Sequence, residues 1–116
     1  WGRILGYLAI KNDGTTVSGF TVYSHSETPG LGGEIEKDWF QKNFSGKKIL
    51  DDRGNFVSVD IAKGSVKDKI PPTRQKNVVD GISGATLTGK FLSAGLKHTL
   101  IQYEPLSTKF RNNQIQ

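Results

Sequence analysis

The stretch Asp80-Gly-Ile-Ser-Gly-Ala-Thr86-Leu-Thr-Gly-Lys90 joins a glycine-rich bend to a long amphipathic segment, Leu87 to Tyr103. Apolar residues recur through this segment at helical spacing and form one stripe, while two lysines, Lys90 and Lys97, fall on the opposite side. The pattern predicts a helix that docks on a sheet through the residues of the stripe: Leu92, Leu96, Leu100 and Tyr103. Docking would fix the first turn of the helix, and with it Thr86, against the core.

The start of this helix is a predicted phosphate site, because free backbone N–H groups and the positive end of the helix dipole converge there. Thr86 adds a hydroxyl at that point. Two other interpretations remain open. Gly84-x-x-x-x-Gly89-Lys90 approaches a nucleotide-binding loop, but that loop continues with a magnesium-binding Ser or Thr, and position 91 is Phe. Alternatively, the stretch is a glycine-rich turn in which Thr86 or Thr88 is an ordinary helix cap.

Two motifs of the chain resemble those of a family of FMN-binding domains. Asp80-x-x-Ser83-Gly84-Ala85-Thr86 resembles D-x-x-[ST]-G-A-T, at which a flavin transferase joins FMN through its phosphate to the last threonine. Upstream, His25-Ser-Glu27-Thr28-Pro29-Gly30-Leu31-Gly32-Gly33 resembles the E-T-P-G-L-G loop of the same family. The two motifs follow each other in the order that the family has.

The resemblance implies a carrier of single electrons, with covalent FMN on Thr86 and with no catalytic residue or metal of its own. The phosphodiester would rest on the N–H groups of Leu87 to Gly89, with Lys90 nearby. Asp80 would serve either recognition by the transferase or bracing of the loop. Further contacts with the cofactor are expected from both motifs: Glu27, Thr28, Leu31, Gly32, Ser83, Gly84, Ala85, Leu87 and Thr88.

The run Gly32-Gly33-Glu34-Ile35, then Trp39, then Gly46-Lys47-Lys48-Ile49 is more similar to the C subunits of Na+-translocating NADH:quinone oxidoreductases than to the G subunits of Rnf complexes. That resemblance implies the other subunits of a membrane complex as partners and a flavin transferase for maturation. It also implies a bacterial inner membrane location, with this domain on the periplasmic side of a single amino-terminal anchor that the sequence lacks. A G subunit of a ferredoxin:NAD complex and a non-redox structural module are the alternatives.

The length and composition of the chain exclude several other classes of functional site. A chain of 116 residues predicts one domain, 1–116, that buries roughly two-thirds of its unfolded surface. The absence of cysteine excludes disulfides and thiolate-bound iron–sulfur clusters, and the two histidines lack metal-ligand spacing. Lys and Arg exceed Asp and Glu by 16 to 11, but they are scattered, which argues against a nucleic-acid surface. No apolar run is long enough to cross a bilayer.

The predicted fold is α+β, a mainly antiparallel sheet with a short helix and the longer carboxy-terminal helix packed on it. Trp1 to Ile10 and Thr16 to Tyr23 form a predicted hairpin around Asn12-Asp13-Gly14. Its expected core residues are Ile4, Tyr7, Phe20 and Val22.

A short helix is expected over Glu34 to Phe44, ending at Ser45-Gly46, with two inward pairs at helical spacing, Ile35 with Trp39 and Phe40 with Phe44. Further strands are expected at Lys47 to Leu50, Phe56 to Ile61 and Val78-Val79. In the second of these, Val57, Val59 and Ile61 should face inward and Phe56, Ser58 and Asp60 outward.

The connecting segment Lys63 to Arg74 is expected on the surface. Gly89 and Gly95 are expected at close contacts of the long helix, because glycine otherwise weakens a helix. Pro105 is expected to end that helix, which would leave Ser107 to Gln116 as a frayed tail.

Overall fold

A computed structural model describes residues 3–115 and has the expected α+β fold. The strands are β1 (Leu5–Ile10), β2 (Val17–Ser24), β3 (Asp60–Ile61) and β4 (Val78–Val79), and the α-helices are α1 (Asp38–Lys42), α2 (Val66–Lys69) and α3 (Thr86–Ile115). Two 3-10 helices cover Gly32–Glu36 and Pro72–Asn77. Strands β1 and β2 pair antiparallel, whereas β3 and β4 form a separate parallel pair.

The predicted hairpin is confirmed by the pairing of β1 with β2. Positions 1 and 2 of its expected first strand lie outside the described residues. One side chain, that of Asp13, stabilises the turn. The Asp13 carboxylate accepts hydrogen bonds from the N–H groups of Thr15 and Thr16, both at 2.8 Å, and Gly14 supplies the positive φ of 69°. Phe20 and Val22 are buried as expected, and Ile4 packs against the core.

The expected burial of Tyr7 is wrong, since its side chain is 70% exposed. It lies on the outer face of the hairpin, where its ring stacks on Tyr23 with centroids 5.0 Å apart. A tyrosine can cover a neighbouring ring there while its hydroxyl stays in water.

The long helix contacts β3, and Leu92, Leu96 and Leu100 are buried in the hydrophobic core as predicted. Tyr103 is not part of the buried stripe, because it is 59% exposed. Gly89 does make a close contact, since a Cβ there would lie 3.1 Å from the Ile61 Cγ2 atom. The close contact expected at Gly95 is absent, since among the described residues no atom outside the adjoining helix turns lies within 4 Å of a Cβ built there.

The same helix does not end at Pro105 but continues to Ile115, so the expected frayed tail is also wrong; Gln116 lies outside the described residues. Contacts beyond the proline explain the continuation. The Arg111 Nε donates to the Gly14 carbonyl at 2.9 Å, and its guanidinium pairs with Glu104. These contacts offset the helical hydrogen bond that proline cannot make.

The helix expected over Glu34 to Phe44 is split in two by Lys37, whose φ of −81° and ψ of 147° are extended. Ile35, Phe40 and Phe44 are buried as predicted, and Gly46 follows with a φ of 86°. Trp39 is not inward, since its side chain is 45% exposed. Its indole Nε1 donates to the Glu34 carboxylate at 3.1 Å.

The strand expected over Phe56 to Ile61 is regular only at Asp60–Ile61, because a bulge precedes it. The N–H groups of Val57 and Ser58 both donate to the Ile49 carbonyl, at 2.9 and 3.1 Å. Ser58 takes a φ of 66° and is fully buried, which contradicts its expected outward position. The partner strand expected at Lys47 to Leu50 is reduced to isolated bridges.

The strand Val78–Val79 is confirmed, and the segment Lys63 to Arg74 is mostly exposed as expected, although it contains α2. No helix within residues 3–115 combines the length and the apolar character that crossing a membrane requires.

Candidate functional site

A cleft of about 640 Å³ lies between the glycine-rich loop after β2 and the first turns of α3. Both predicted motifs contribute to it. Its lining residues are Ser26, Glu27, Thr28, Leu31, Gly32, Gly84, Ala85, Leu87, Thr88 and Phe91. Eight of these ten were predicted from the sequence as cofactor contacts, so the structure places the two motifs at one site.

A hydrogen bond joins the two motifs directly. The Thr88 hydroxyl donates to Glu27 Oε1 at 2.6 Å, across a sequence separation of 61 residues. Gly32 lies against this bond, since a Cβ there would come within 2.5 Å of the Thr88 hydroxyl and 3.0 Å of Glu27 Oε1. Glycine at position 32 is therefore required for the loop to approach the helix.

The loop is held in shape by its own backbone. The Thr28 carbonyl accepts hydrogen bonds from the N–H groups of Leu31 at 3.0 Å and Gly33 at 2.9 Å, and Gly30 has a φ of 78° at the bend. A Cβ at Gly33 would lie 3.0 Å from the same carbonyl oxygen. Thr28 and Leu31 are therefore presented to the cleft from a compact turn.

Thr86 is the first residue of α3 and is exposed. The N-cap position thus falls to Ala85, which has no side-chain oxygen, and Thr88 is engaged with Glu27. The arrangement does not support the interpretation of either threonine as an ordinary N-cap. Gly84 precedes the helix with a φ of 74°, and its α-carbon faces Leu31 so closely that a Cβ would lie 3.2 Å from Leu31 Cδ2.

The backbone N–H groups available to a phosphate begin one residue earlier than the expected Leu87 to Gly89. The Gly89 N–H donates to the Ala85 carbonyl at 3.1 Å, so it already belongs to the helix. The N–H groups of Thr86, Leu87 and Thr88 are the ones that a helix start leaves without a helical partner. An anion beside Thr86 would therefore meet these three donors.

Asp80 lies outside the cleft and contacts the preceding segment. Its carboxylate accepts the Val66 N–H at 2.8 Å, at the first residue of α2. Burial lowers the pKa of Lys47, although the charge of Asp80 opposes this by favouring the protonated ammonium. Next to it, Gly81 packs so tightly on the Ala62 carbonyl that no side chain fits. These contacts favour bracing as the role of Asp80.

Three predicted residues are exposed and lie outside the cleft lining: Ser83, Thr86 and Lys90. Two lining residues were not predicted as contacts, Ser26 and Phe91. Ser26 lies inside the quoted loop motif. Phe91 follows Thr88 by three positions and Leu87 by four, so helical spacing alone could have placed it on the same face.

The cleft suits a ligand that has a charged end and a flat apolar end. Donors and acceptors lie where Glu27, Thr88 and the first helical amides meet. Apolar side chains lie beside them and are largely exposed: Leu31 is 44%, Leu87 58% and Phe91 55% accessible. Clustered apolar side chains left open to solvent beside a cavity of this size are typical of a ligand site. The volume and the mixed lining fit FMN.

A family model described as an FMN-binding domain matches residues 1–101 of the chain. The C subunit of the Na(+)-translocating NADH-quinone reductase of Chlamydia trachomatis is 39% identical over 123 aligned positions, covering 98% of this chain and 39% of that protein. The chain thus spans well under half the length of that relative.

Solved structures agree with the sequence comparison. The crystal structure of the same subunit from Parabacteroides distasonis has 38% identity and a TM-score of 0.78, covering 96% of this chain and 51% of that chain. Shewanella oneidensis NqrC has 30% identity and a TM-score of 0.80, covering 97% of this chain and 50% of that chain. With the family model matching most of its length, the chain belongs to the family of FMN-binding domains.

Proposed function

We propose that this chain is the FMN-carrying part of a C subunit of a Na+-translocating NADH:quinone oxidoreductase, with FMN joined through its phosphate to the Thr86 hydroxyl. The observation that carries the proposal is the position of Thr86. It is exposed at the first turn of α3, beside a cleft that both flavin motifs line.

The chain's own groups have distinct tasks in this proposal. The N–H groups of Thr86, Leu87 and Thr88 stabilise the single negative charge of a phosphodiester, helped by the helix dipole. The Glu27 carboxylate and the Thr28 hydroxyl offer hydrogen bonds to the polar parts of the cofactor. Leu31, Leu87 and Phe91 cover apolar surface of the ring system.

Bound FMN supplies reversible electron transfer, and a covalent ester keeps it on the protein in every oxidation state. Because the apolar lining is half open to solvent, a ring system held there would be accessible to another electron carrier. The partners are the other subunits of a bacterial inner membrane complex, and a flavin transferase forms the ester. The names of the relatives favour this complex over an Rnf-type complex.

Intact mass measurement tests the attachment. After co-expression with a flavin transferase, the chain gains the mass of FMN less one water, because ester formation releases one water relative to the free components. Thr86→Ala abolishes the gain and Thr86→Ser restores part of it, since serine keeps a hydroxyl.

The matched control is Thr99→Ala, the same change at an exposed threonine further along α3. This variant keeps the full adduct. An adduct that persists in Thr86→Ala would place the attachment elsewhere, and no adduct on the unaltered chain would contradict the proposal.

A further inference from the structure

His25 lies at the start of the cleft loop and contacts both the loop and the 3-10 helix after it, without lining the cleft itself. Its side chain is only 13% exposed. Nδ1 lies 3.0 Å from the Glu27 backbone nitrogen, and Nε2 lies 3.2 Å from Glu36 Oε2. The ring edge also faces Gly33, where a Cβ would come within 3.5 Å of the His25 Cε1 atom.

The two polar contacts fix the tautomer of the ring. The backbone N–H of Glu27 can only donate, so Nδ1 must accept and carries no proton. The Glu36 carboxylate can only accept, so the proton of the neutral ring belongs on Nε2. His25 is thus an oriented connector between the first residues of the loop and the 3-10 helix that follows it, Gly32–Glu36.

The connection bears on the cleft through Glu27. Its backbone is fixed by His25, and its carboxylate accepts the Thr88 hydroxyl at 2.6 Å. Glu27 therefore links the part-buried imidazole to the start of α3. If the imidazole contact is lost, the Glu27 backbone gains freedom and the carboxylate loses its fixed approach to Thr88.

We propose that His25 is a positioning residue of the FMN cleft: as the Nε2-protonated tautomer it holds the Glu27 carboxylate against Thr88. Its effect on FMN rests on the function proposed above, whereas its effect on Glu27 does not. The two are therefore tested separately.

The first test uses the flavin-free chain and nitrogen-15 NMR. We expect the His25 Nδ1 resonance at the position of an unprotonated acceptor nitrogen, Nε2 at that of a protonated one, and a shift of the Glu27 amide in His25→Ala. The other histidine, His98, is exposed on α3, so His98→Ala is the matched control and leaves the Glu27 amide in place. A proton on Nδ1, or a Glu27 amide unchanged in His25→Ala, would overturn the proposal.

The second test separates positioning from general loss of structure by conservative replacement. In His25→Asn the side-chain oxygen takes the place of Nδ1 and keeps the bond to the Glu27 N–H, although it no longer reaches Glu36. We expect this variant to restore the Glu27 amide resonance, whereas His25→Leu, which fills space without an acceptor, does not. Equal spectra from the two variants would show that the ring acts only by packing.

The third test measures noncovalent FMN affinity by flavin fluorescence, in a Thr86→Ala background where no ester can form. Loss of one hydrogen bond in the support of Glu27 predicts about a five-fold weaker Kd for His25→Ala, with His25→Asn close to the parent. An unchanged Kd in His25→Ala would refute the effect on the cofactor. Failure of the parent to bind FMN would instead count against the proposed function and leave the NMR result to decide the role of His25.

Discussion

The hydrogen bond between Glu27 and Thr88 is the smallest unit on which the cleft depends. It brings a carboxylate from the loop to the first turn of α3, and Gly32 leaves room for nothing larger beside it. A charged acceptor makes such a bond stronger than one between neutral groups. The geometry of the site therefore depends on these two side chains together.

A double-mutant cycle should detect their coupling. We expect Thr88→Val and Glu27→Met each to lower the free energy of unfolding, with a coupling energy of about 1 kcal/mol, because either change removes the same bond. Urea denaturation measures all four proteins, and Thr88→Ser, which keeps the hydroxyl, is the control. Strictly additive effects would show that the bond contributes nothing to stability.

The stability of the hairpin turn depends on pH through the ionised carboxylate of Asp13. Burial alone would raise the pKa of Asp13, but the Thr16 hydroxyl, the Thr16 and Thr15 amides and the Lys48 charge together lower it from 3.8 to about 2. A lowered folded pKa means that the stabilisation is complete above the unfolded value near 3.8 and is lost as the pH falls through about 2.

We therefore expect Asp13→Asn to unfold with a weaker pH dependence than the parent between pH 3.8 and about 2. The difference at neutral pH should be about 1 to 2 kcal/mol, because partial exposure screens the interaction. Urea midpoints across this range measure the effect. Asp68→Asn, at an exposed residue, is the control, and parallel curves for Asp13→Asn and the parent would contradict the assignment.

At the scale of the elements, α3 carries two glycines with opposite surroundings. Gly89 faces Ile61 at contact distance, whereas Gly95 is exposed and, in the described part of the chain, no atom from outside its own helix turns lies near a Cβ built there. Helical propensity favours alanine over glycine by about 1 kcal/mol at both positions, but only Gly89 has a neighbour that must yield.

Gly95→Ala is thus expected to raise the free energy of unfolding by about 1 kcal/mol. Gly89→Ala is expected to raise it by less than this, or to lower it. Thermal and urea unfolding of the two variants compare the same substitution in the same helix. Equal stabilisation at both sites would show that the contact with Ile61 does not constrain the backbone.

Sequence patterns predicted the elements that depend on local signals. The hairpin followed from Asp13 and Gly14, and the buried face of α3 from Leu92, Leu96 and Leu100. Local signals gave wrong predictions where contacts between residues distant in sequence determine the structure. Pro105 predicts a helix end, but Arg111 reaches the hairpin turn and keeps the helix going. Ser58 was expected outward, but a bulge opposite Ile49 turns it into the core.

The candidate site was predictable because each of its two motifs is a continuous stretch of sequence. Six of the predicted lining residues lie within the motifs, and two more, Leu87 and Thr88, directly follow the second. The contribution of Phe91 was missed, since a residue outside a motif is identified only by the face of the helix on which it lies. The hydrogen bond between Glu27 and Thr88 could not be predicted either, because no sequence pattern indicates which side chain of the loop contacts the helix.

In the molecule as a whole, the end of α3 contacts the turn of the β1–β2 hairpin. The Arg111 Nε donates to the Gly14 carbonyl across 97 residues of sequence, and a Cβ at Gly14 would lie 2.5 Å from the Ser107 carbonyl oxygen. The hairpin turn and the last turns of the helix therefore support each other.

Arg111→Ala is expected to lower the free energy of unfolding by about 1 to 3 kcal/mol, because it leaves both the Gly14 carbonyl and Glu104 without their donor. Circular dichroism should also register a loss of helix beyond Pro105. Lys109→Ala, at an exposed position of the same turn, should change neither quantity. An unaltered urea midpoint in Arg111→Ala would mean that this contact is not formed in solution.

Glu27 and Thr88 stand 61 residues apart. A ribosome releases the first long before the second, so a nascent chain has no assembled pocket to offer until Thr88 has also emerged. An enzyme that recognises the assembled pocket must then act after this domain has folded, and cofactor occupancy in a cell extract would count the molecules in which it had done so.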